Sequence, residues 1–371
     1  MREVLFVAGE PSGDLHGAGV AAELRRRAPD LPLGGIGGAR MEAAGVTLIE
    51  HTDRLAVMGF LEVLAHIPRH WRLLAEIKAK LRSGRVGLVV LLDYPGFNMK
   101  VAAAAREAGV PVLYYITPQV WAWGAKRLTE LARTITRAAC ILPFEEAMLR
   151  TAGIDATFVS HPLLDRASAL PSMEDARRTL GLEGNAPVLA LFPGSRKSEI
   201  ERHLALFVET ARELQRRTPG LRVIVSVAPG ITLPESECPF QQVHASSFTV
   251  WRAADAALSK SGTSTLEAAV AGCPLVVAYR TSAITYAIAR RVVFIPLIGL
   301  VNVVAGRQVA PEFVQSAARP GAMADALAPL LDHASPQRAA MVQGLAEVKD
   351  KLGTPGAAAR VAAIALGMVL P

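Results

Sequence analysis

Aromatic residues, cysteines and long apolar runs are all scarce in this chain, and each scarcity excludes a class of protein. Aromatic side chains make up 5% of the 371 residues, too few for a platform on which nucleic-acid bases stack. No uninterrupted apolar run approaches the length of a membrane span. The opening segment MREVLFVAGEPSGD holds a run of only about five apolar residues, too short for the core of a signal peptide. The sequence therefore predicts neither a transmembrane nor an exported protein.

The cysteines and carboxylates form no pattern typical of a disulfide framework or a metal site. Cys140, Cys238 and Cys273 lie far apart and lack the spacing of metal ligands. No D-x-D carboxylate pair occurs in a loop expected at the active site, and Glu235 and Glu237 have no neighbouring histidine. We expect reduced thiols in a cytoplasmic protein, with no metal and no cofactor.

Positive charge is in excess, with a formal net charge of +7. Such an excess suggests an acidic partner, which could be nucleic acid, anionic lipid or a phosphorylated substrate. The basic residues are dispersed along the chain and no nucleic-acid-binding motif is present, so we expect no nucleic-acid partner. Charge alone does not choose between the other two.

Apolar runs that alternate with helix-like segments predict an α/β fold. The runs occupy 4–8, 86–92, 112–116 and 139–142 in the first half, and 188–192, 223–227, 256–259 and 275–278 in the second. This alternation is typical of doubly wound parallel sheets. We expect two Rossmann-like domains, 1–165 and 166–353, with a C-terminal helix at 354–371 that packs back on the first. Ligands of such sheets bind beyond the carboxyl ends of the strands, so the expected active site is a cleft between two facing sheets.

Two glycine-containing loops in the second half have the composition of phosphate-binding loops. Gly194, Ser195 and Arg196 lie between a strand and a helix, where free backbone N–H groups and a guanidinium could meet a diphosphate; the alternative is an ordinary turn. A second such loop leads into a helix with Glu267 in its first turn, which could accept ribose hydroxyls or only complement the helix dipole. The loop itself contains Lys260, Ser261, Gly262 and Thr263.

Three carboxylates lie in loops that follow strands of the first half. Asp93 comes directly after the run 86–92, where it could act as general base for a sugar hydroxyl or instead be the N-cap of the next helix. Glu10 and Asp14 lie in a glycine loop whose negative charge suits a hydroxyl better than a phosphate. That loop does not complete G-x-G-x-x-G, so a dehydrogenase is the weaker interpretation.

The segment 57–81 is amphipathic and basic, with apolar residues at helical spacing interrupted by Pro68. It could lie on anionic lipid or simply pack in the core. The aromatic residues of 114–123 could line a pocket or belong to the core, and His161 could contact a ligand or stabilise the domain junction. The residues predicted for the acceptor and membrane surface are Ser12, Met58, Phe60, Leu61, Leu64 and Trp71.

Taken together, several stretches resemble lipid-A-disaccharide synthases, GT-B glycosyltransferases of Gram-negative bacteria. As a set they are highly specific and span nearly the whole chain in order. Two positions depart from the family's usual pattern: Val301 replaces a common proline, and Ser160 a common glycine. The matching stretches are AGEPSGD (8–14), VMGFLEVL (57–64), DYPGFN (93–98), YYITPQVWAW (114–123), LPFE (142–145), HPLLD (161–165), LFPGSR (191–196), SGTSTLE (261–267) and AGRQVAPEFVQ (305–315).

The resemblance implies transfer of 2,3-diacylglucosamine from UDP-2,3-diacylglucosamine to the 6-hydroxyl of 2,3-diacylglucosamine 1-phosphate, with release of UDP. The product is a β(1→6) disaccharide 1-phosphate, so the transfer inverts configuration and needs one base. Asp93 would be that base, Glu10 would orient the acceptor or assist, and Arg196 would bind the diphosphate. The other donor contacts implied are Ser261, Gly262, Thr263, Glu267, Asn302, Glu312 and Gln315.

Other functions remain as alternatives. A UDP-N-acetylglucosamine 2-epimerase would share the fold and the donor loops but would need no acyl pocket. A nonenzymatic lipid-binding module would account for the amphipathic segment but not for two phosphate-type loops.

Substrates with acyl chains favour peripheral association with the cytoplasmic face of the inner membrane, an anionic surface. Self-association into a homo-oligomer is left open.

Overall fold

The computed structural model describes residues 1–54, 60–123, 125–182, 184–282, 286 and 297–369. The chain divides into two compact units, Met1–Asp165 with Gly353–Pro371, and Arg166–Leu352. Each unit contains a parallel sheet flanked by helices, so the predicted α/β fold class with two Rossmann-like sheets is confirmed. Among the residues described, no helix combines the length and the apolar character needed to cross a bilayer.

The sheet of the first unit is built from seven short strands, of which the central ones are buried and mostly apolar. These strands are β1 (Glu3–Ala8), β2 (Leu33–Gly37), β3 (Thr47–His51), β4 (Val86–Leu92), β5 (Val112–Tyr115), β6 (Arg137–Cys140) and β7 (Asp155–Phe158). They are parallel in the order β3-β2-β1-β4-β5-β6-β7. Ala8 pairs with Leu92, so the chain leaves β1 and β4 side by side at the carboxyl edge.

Helices cover both faces of this sheet, as continuous apolar strands require. They are α1 (Pro11–Arg27), α2 (Ala39–Ala43), α3 (Phe60–Arg82), α4 (Pro95–Glu107), α5 (Val120–Trp123), α6 (Ala125–Thr134), α7 (Glu145–Thr151) and α8 (Leu163–Arg166), the last of which ends where the two units divide.

The second unit repeats the same architecture with six described strands. They are β8 (Val188–Phe192), β9 (Arg222–Ser226), β10 (Gln241–Val243), β11 (Ala256–Lys260), β12 (Leu275–Tyr279) and β13 (Glu312–Val314). All are parallel, in the order β10-β9-β8-β11-β12-β13. Its helices are α9 (Met173–Thr179), α10 (Lys197–Arg217), α11 (Ser247–Ala253), α12 (Ser264–Ala271), α13 (Leu300–Ala305), α14 (Pro320–Leu331) and α15 (Pro336–Lys351).

The C-terminal helix α16 (Ala357–Val369) packs in the core of the first unit. Val361, Ala362 and Ala365 are fully buried in the same cluster as Val4 and Phe6 of β1. The chain enters this contact past Ser160, whose φ of 67° lies in the left-handed region and whose Oγ accepts the Thr354 N–H at 3.2 Å. That conformation favours glycine, which explains why glycine is common at this position in the family that the motifs resemble.

Candidate active site

Asp93, the predicted base, follows the central strand β4 in a strained backbone conformation. Both Asp93 and Tyr94 have a φ of 47°, in the left-handed region, which costs about 1–2 kcal/mol for each non-glycine residue. The pairing of Ala8 with Leu92 brings Asp93 beside Glu10, where β1 ends. Strain of this kind, at the carboxyl end of a central strand, is typical of functional sites.

Hydrogen bonds from buried side chains hold this conformation. Asn98 is fully buried, and its Nδ2 donates to the carbonyl oxygens of Val7 at 3.3 Å, Leu92 at 3.1 Å and Asp93 at 2.7 Å. The Tyr114 hydroxyl donates to the same Asp93 carbonyl at 2.7 Å. Burial, and secondly the charge of Asp93, raises the pKa of Tyr114 far above its usual value, so the donating proton is retained.

Tyr94 is the N-cap residue of α4, so the alternative in which Asp93 occupies that position is wrong. The Tyr94 ring lies against the backbone of Gly9, where a Cβ would come within 2.2 Å of the ring. Its hydroxyl lies 2.7 Å from Nε2 of His70 on α3. Burial, and secondly the charge of Glu10, raises the pKa of Tyr94. The Tyr94 ring, directly after Asp93, is therefore positioned by the backbone of Gly9 at the ring and by His70 at the hydroxyl.

The two carboxylates of the first glycine loop have separate roles. Asp14 is buried, and its Oδ1 accepts the N–H groups of Gly38 at 2.7 Å and Met41 at 3.0 Å. These bonds fix the start of α2, so Asp14 serves the fold. Glu10 is only half-buried at the N-cap of α1 and makes no capping bond there. Of the pair, Glu10 is the more exposed carboxylate, and its contact with a ligand stays a prediction.

A cavity of about 190 Å³ opens beside Asp93. Asp93 and Pro95 line it from the end of β4 and the start of α4, while Arg127 lines it from α6. The carboxylate of Asp93 can accept a proton from a hydroxyl, and the guanidinium of Arg127 can bind an anion. The remaining lining residues are Pro118, Gln119 and Val120.

The residues predicted for the acceptor and membrane surface are only partly described. Ser12 is exposed in the first turn of α1. Trp71 on α3 is 59% exposed, and Nζ of Lys100 lies 4.8 Å from its ring centre. Met58 lies outside the described residues. Phe60, Leu61 and Leu64 belong to α3, but their side chains are not described.

The loop between β8 and α10 already holds an internal carboxylate. Oε2 of Glu199 accepts the N–H groups of Ser195 at 3.1 Å and Arg196 at 3.4 Å. Gly194 makes room for it, because its φ is 138° and a Cβ there would lie 2.6 Å from the Cβ of Glu199. The prediction of free N–H groups in this loop is therefore wrong for Ser195 and Arg196. The spacing of Arg196 and Glu199, that of a capping box, was the available sequence signal.

Lys260 pairs with the same carboxylate. Its Nζ lies 2.8 Å from Oε1 of Glu199, and the two side chains are only 18% and 16% exposed. Burial alone would raise the pKa of Glu199, but the ammonium and the N–H donors outweigh it and lower that pKa. The contact between Lys260 and Glu199 ties the two predicted phosphate loops together.

The second loop leaves the sheet beside the first. Ser259 on β11 pairs with Phe192 on β8, so the loops that follow these two strands leave the sheet at the same edge and lead into α12 and α10. The Ser261 hydroxyl donates to the Ile298 carbonyl at 2.6 Å, and Thr263 is the N-cap residue of α12. Gly262 has a φ of 155° between them.

Glu267 has more partners than a helix dipole would require. It is largely buried in the first turn of α12 and accepts from Nη1 of Arg166 and from Nε1 of Trp251, both at 3.4 Å. Burial raises the pKa of Glu267 against the opposing effect of Arg166. Trp251 in turn stacks on Phe192 with ring centres 3.8 Å apart. This carboxylate is thus anchored beside the ends of β8 and β11.

A family model described as lipid-A-disaccharide synthetase matches residues 4–359. The chain belongs to the lipid-A-disaccharide synthase family. Proteins of that name are 39% identical over 374 residues in Syntrophus aciditrophicus and 40% identical over 375 residues in Myxococcus xanthus. The alignments cover 99% of this chain in both cases, and 97% and 98% of the respective relatives. The resemblance drawn from the motifs is confirmed, and the chain is a UDP-sugar-dependent glycosyltransferase of lipid A biosynthesis.

Solved structures share the fold of this synthase at low sequence identity. Neisseria meningitidis UDP-GlcNAc 2-epimerase bound to UDP-GlcNAc has a TM-score of 0.66 at 11% identity, with 98% of this chain and all of that one (100%) covered. S. aureus MnaA in complex with UDP has a TM-score of 0.67 at 11% identity over 100% and 98% of the two chains. The glycosyltransferase of kitacinnamycin gives 0.65 at 14% identity over 99% and 98%. These likenesses show the fold alone, and the epimerase alternative is only a distant structural match.

Three of the residues that the family resemblance implies as contacts of the UDP-sugar lie in one segment, 302–315, which is shaped by side-chain hydrogen bonds. Asn302 is fully buried; its Nδ2 donates to Oε1 of Glu312 at 2.7 Å and its Oδ1 accepts the Val309 N–H at 2.7 Å. Gln315 has a φ of 52°, and its Oε1 accepts the Thr281 N–H at 3.1 Å. These bonds give the segment its shape, and the contact of its residues with the donor stays a prediction.

Proposed function

We propose that the chain transfers 2,3-diacylglucosamine from UDP-2,3-diacylglucosamine to the 6-hydroxyl of 2,3-diacylglucosamine 1-phosphate. The hydroxyl oxygen attacks the anomeric carbon, the bond to the diphosphate breaks, and UDP leaves. Because an α-linked donor gives a β(1→6) product, one displacement with one general base is sufficient. Membership of the synthase family supports these substrates.

The fixed position of Asp93 is the observation that carries this mechanism. Asp93 lines a cavity, while Asn98 on α4 and Tyr114 on the neighbouring strand β5 donate hydrogen bonds to its carbonyl oxygen. A base whose backbone is fixed before substrate binds does not have to be ordered during the reaction. Asp93 would take the proton of the 6-hydroxyl, and Glu10, at the end of the adjacent strand, would orient the acceptor.

The leaving diphosphate would be stabilised by positive groups of the second unit. Arg196 lies at the N-cap of α10, where its guanidinium adds to the positive end of the helix dipole. When the donor binds, the ammonium group of Lys260 would contact the diphosphate, either in place of Glu199 or together with it. Glu267 would accept the ribose hydroxyls. The other groups proposed to hold the donor are Gly194, Ser195, Ser261, Gly262, Thr263, Asn302, Glu312 and Gln315.

The substitution Asp93→Asn tests the base directly. Asparagine tolerates the left-handed conformation, so the loop should be preserved. We expect turnover to fall about 10²- to 10⁴-fold, as for loss of a general base, while calorimetric titration finds UDP affinity unchanged. The matched control is Asp155→Asn, since the side chain of Asp155 is in the same unit and 59% exposed. Wild-type turnover in Asp93→Asn would remove this assignment.

We also propose that the chain associates peripherally with the cytoplasmic face of the inner membrane, where its acylated substrates reside. Exposed Trp71, with Lys100 beside it, suits the interface of an anionic bilayer. Co-sedimentation should show stronger binding to vesicles with anionic lipid than to zwitterionic vesicles, and Trp71→Ala should weaken it. Equal binding of the wild type to both kinds of vesicle would contradict an electrostatic contribution.

A further inference from the structure

We infer that Arg127 binds the 1-phosphate of the acceptor sugar in the cavity beside Asp93. The inference rests on the proposed function and adds a residue that recognises the acceptor. Arg127 lines the cavity of about 190 Å³ together with Asp93 and Gln119, which gives this space one guanidinium, one carboxylate and one amide. The two charged groups belong to different elements, the loop after β4 and helix α6.

The guanidinium of Arg127 is available for a ligand. Within the described part of the chain, no hydrogen-bond acceptor and no carboxylate lies in bonding distance of it, and its side chain is exposed. Two other arginines of this unit are paired, Arg137 with Asp155 at 3.2 Å and Arg150 with Glu146 at 2.7 Å. Arg133 on α6 also has no such partner among the described residues, but unlike Arg127 it does not line the cavity. An arginine without a partner in a cavity that also holds a carboxylate can bind an anion through two parallel N–H groups.

The charges of the cavity select one orientation of the acceptor. A phosphate would be repelled by the Asp93 carboxylate and attracted by the Arg127 guanidinium. A hydroxyl that must lose a proton needs the carboxylate instead. The acceptor carries its phosphate at C1 and its reacting hydroxyl at C6; C6 is attached to C5, and C1 and C5 both flank the ring oxygen, so one cavity can receive both groups. Phosphate on Arg127 therefore presents the 6-hydroxyl to Asp93, and the same contact discriminates against sugars without the phosphate.

The acceptor phosphate is also the anion for which no other group has been assigned. The donor diphosphate has Arg196, Lys260 and the N-terminus of α10. In the first unit, the charged residues predicted to contact a ligand, Glu10 and Asp93, are both acidic, and the other predicted contacts carry no charge. Arg127 completes the set of charges that the two substrates require.

The test compares two acceptors across four proteins. Initial rates are measured for the wild type, Arg127→Ala, Arg127→Lys and Arg133→Ala with 2,3-diacylglucosamine 1-phosphate and with the uncharged methyl glycoside of 2,3-diacylglucosamine. Arg133 is exposed on the same helix but does not line the cavity, so its variant is the matched control.

We expect Arg127→Ala to lower kcat/KM about ten-fold or more for the phosphorylated acceptor, as for loss of a charge-assisted contact. The methyl glycoside should be used about equally by the wild type and the variant, Arg127→Lys should lie between, and Arg133→Ala should match the wild type. If the glycoside is not turned over, its inhibition constant against the phosphorylated acceptor replaces its rate, and that constant should be the same in both proteins.

An equal loss for both acceptors, or an equally weakened inhibition constant, would overturn the assignment of Arg127, as would full activity of Arg127→Ala on the phosphorylated acceptor. Failure of the proposed function gives a different result, because the wild type would then form no disaccharide from either acceptor. UDP affinity, measured by calorimetry, should be unchanged in every variant, which separates lost recognition from misfolding.

Discussion

Glu145 is expected to make the stability of the first unit depend on pH near neutrality. It lies at the start of α7 and is 2% exposed. Its Oε1 accepts from the indole of Trp121 and its Oε2 accepts the Leu142 N–H, both at 3.0 Å. Burial nevertheless outweighs these bonds and raises the pKa of Glu145 from 4.5 to about 7. The folded state therefore holds this proton more tightly than the unfolded state does.

The sign and size of the effect follow from that pKa. Below pH 4.5 both states are protonated, and the shift has no effect on stability. Between pH 4.5 and about 7 the unfolded state ionises first, so stability falls as pH rises. The cost is complete above pH 7, at about 3 kcal/mol for a pKa difference of about 2.5. Most of it, about 2–3 kcal/mol, arises between pH 5 and pH 8.

The assay is denaturant unfolding of the wild type and Glu145→Gln, followed by tryptophan fluorescence from pH 5 to pH 8. Glutamine cannot ionise, so the free energy of unfolding of the wild type relative to the variant should fall by about 2–3 kcal/mol across this range. Glu130→Gln, which changes an exposed carboxylate in the same unit, is the control and should show no such trend. If the difference between wild type and Glu145→Gln were constant with pH, the reasoning from burial would be refuted.

Three further substitutions test separate parts of the account. Arg196→Ala should weaken UDP about ten-fold or more in calorimetric titration, because a charged contact to the diphosphate is lost; unchanged affinity would contradict this role. Asp255→Asn should destabilise the second unit by about 3 kcal/mol in thermal unfolding, because buried Asp255 accepts from Arg177 at 2.7 Å and the substitution leaves that guanidinium without its counter-charge; an unchanged melting temperature would argue against it. Gly9→Ala should lower kcat while KM for the UDP-sugar is kept, because the new Cβ would lie 2.2 Å from the Tyr94 ring and displace it; steady-state kinetics with wild-type kcat would show that the ring position is unimportant.

The central strands could be predicted from sequence because each is a continuous apolar run. The runs 86–92 and 188–192 coincide with β4 and β8. The strands β2 and β3 were not predicted, and β2, with the sequence LGGIG, shows why. Glycine disfavours strands in general, yet here it is needed, because a Cβ on Gly35 would lie 2.0 Å from the carbonyl oxygen of Phe6. That contact depends on which strands become neighbours, and local pattern does not reveal it.

The same limit applies to the candidate site. The motifs pointed to Asp93, Glu10 and the two loops of the second unit, since glycine and carboxylates after strands are local features. The side chains that fix them act over long distances in sequence. Asn98 reaches the carbonyl of Val7, and Glu199 reaches Lys260. The capping-box spacing of Glu199 was visible in the sequence, but its contact with Lys260, 61 residues further along the chain, depends on the neighbouring strands and is not a local feature.

Product analysis by mass spectrometry tests the central claim most directly. Purified protein is incubated with UDP-2,3-diacylglucosamine and 2,3-diacylglucosamine 1-phosphate, with and without EDTA. We predict a tetraacyl disaccharide 1-phosphate and an equal amount of UDP in both conditions, as a single displacement assisted by protein side chains requires. Altered or hydrolysed UDP-sugar without any disaccharide would contradict the account.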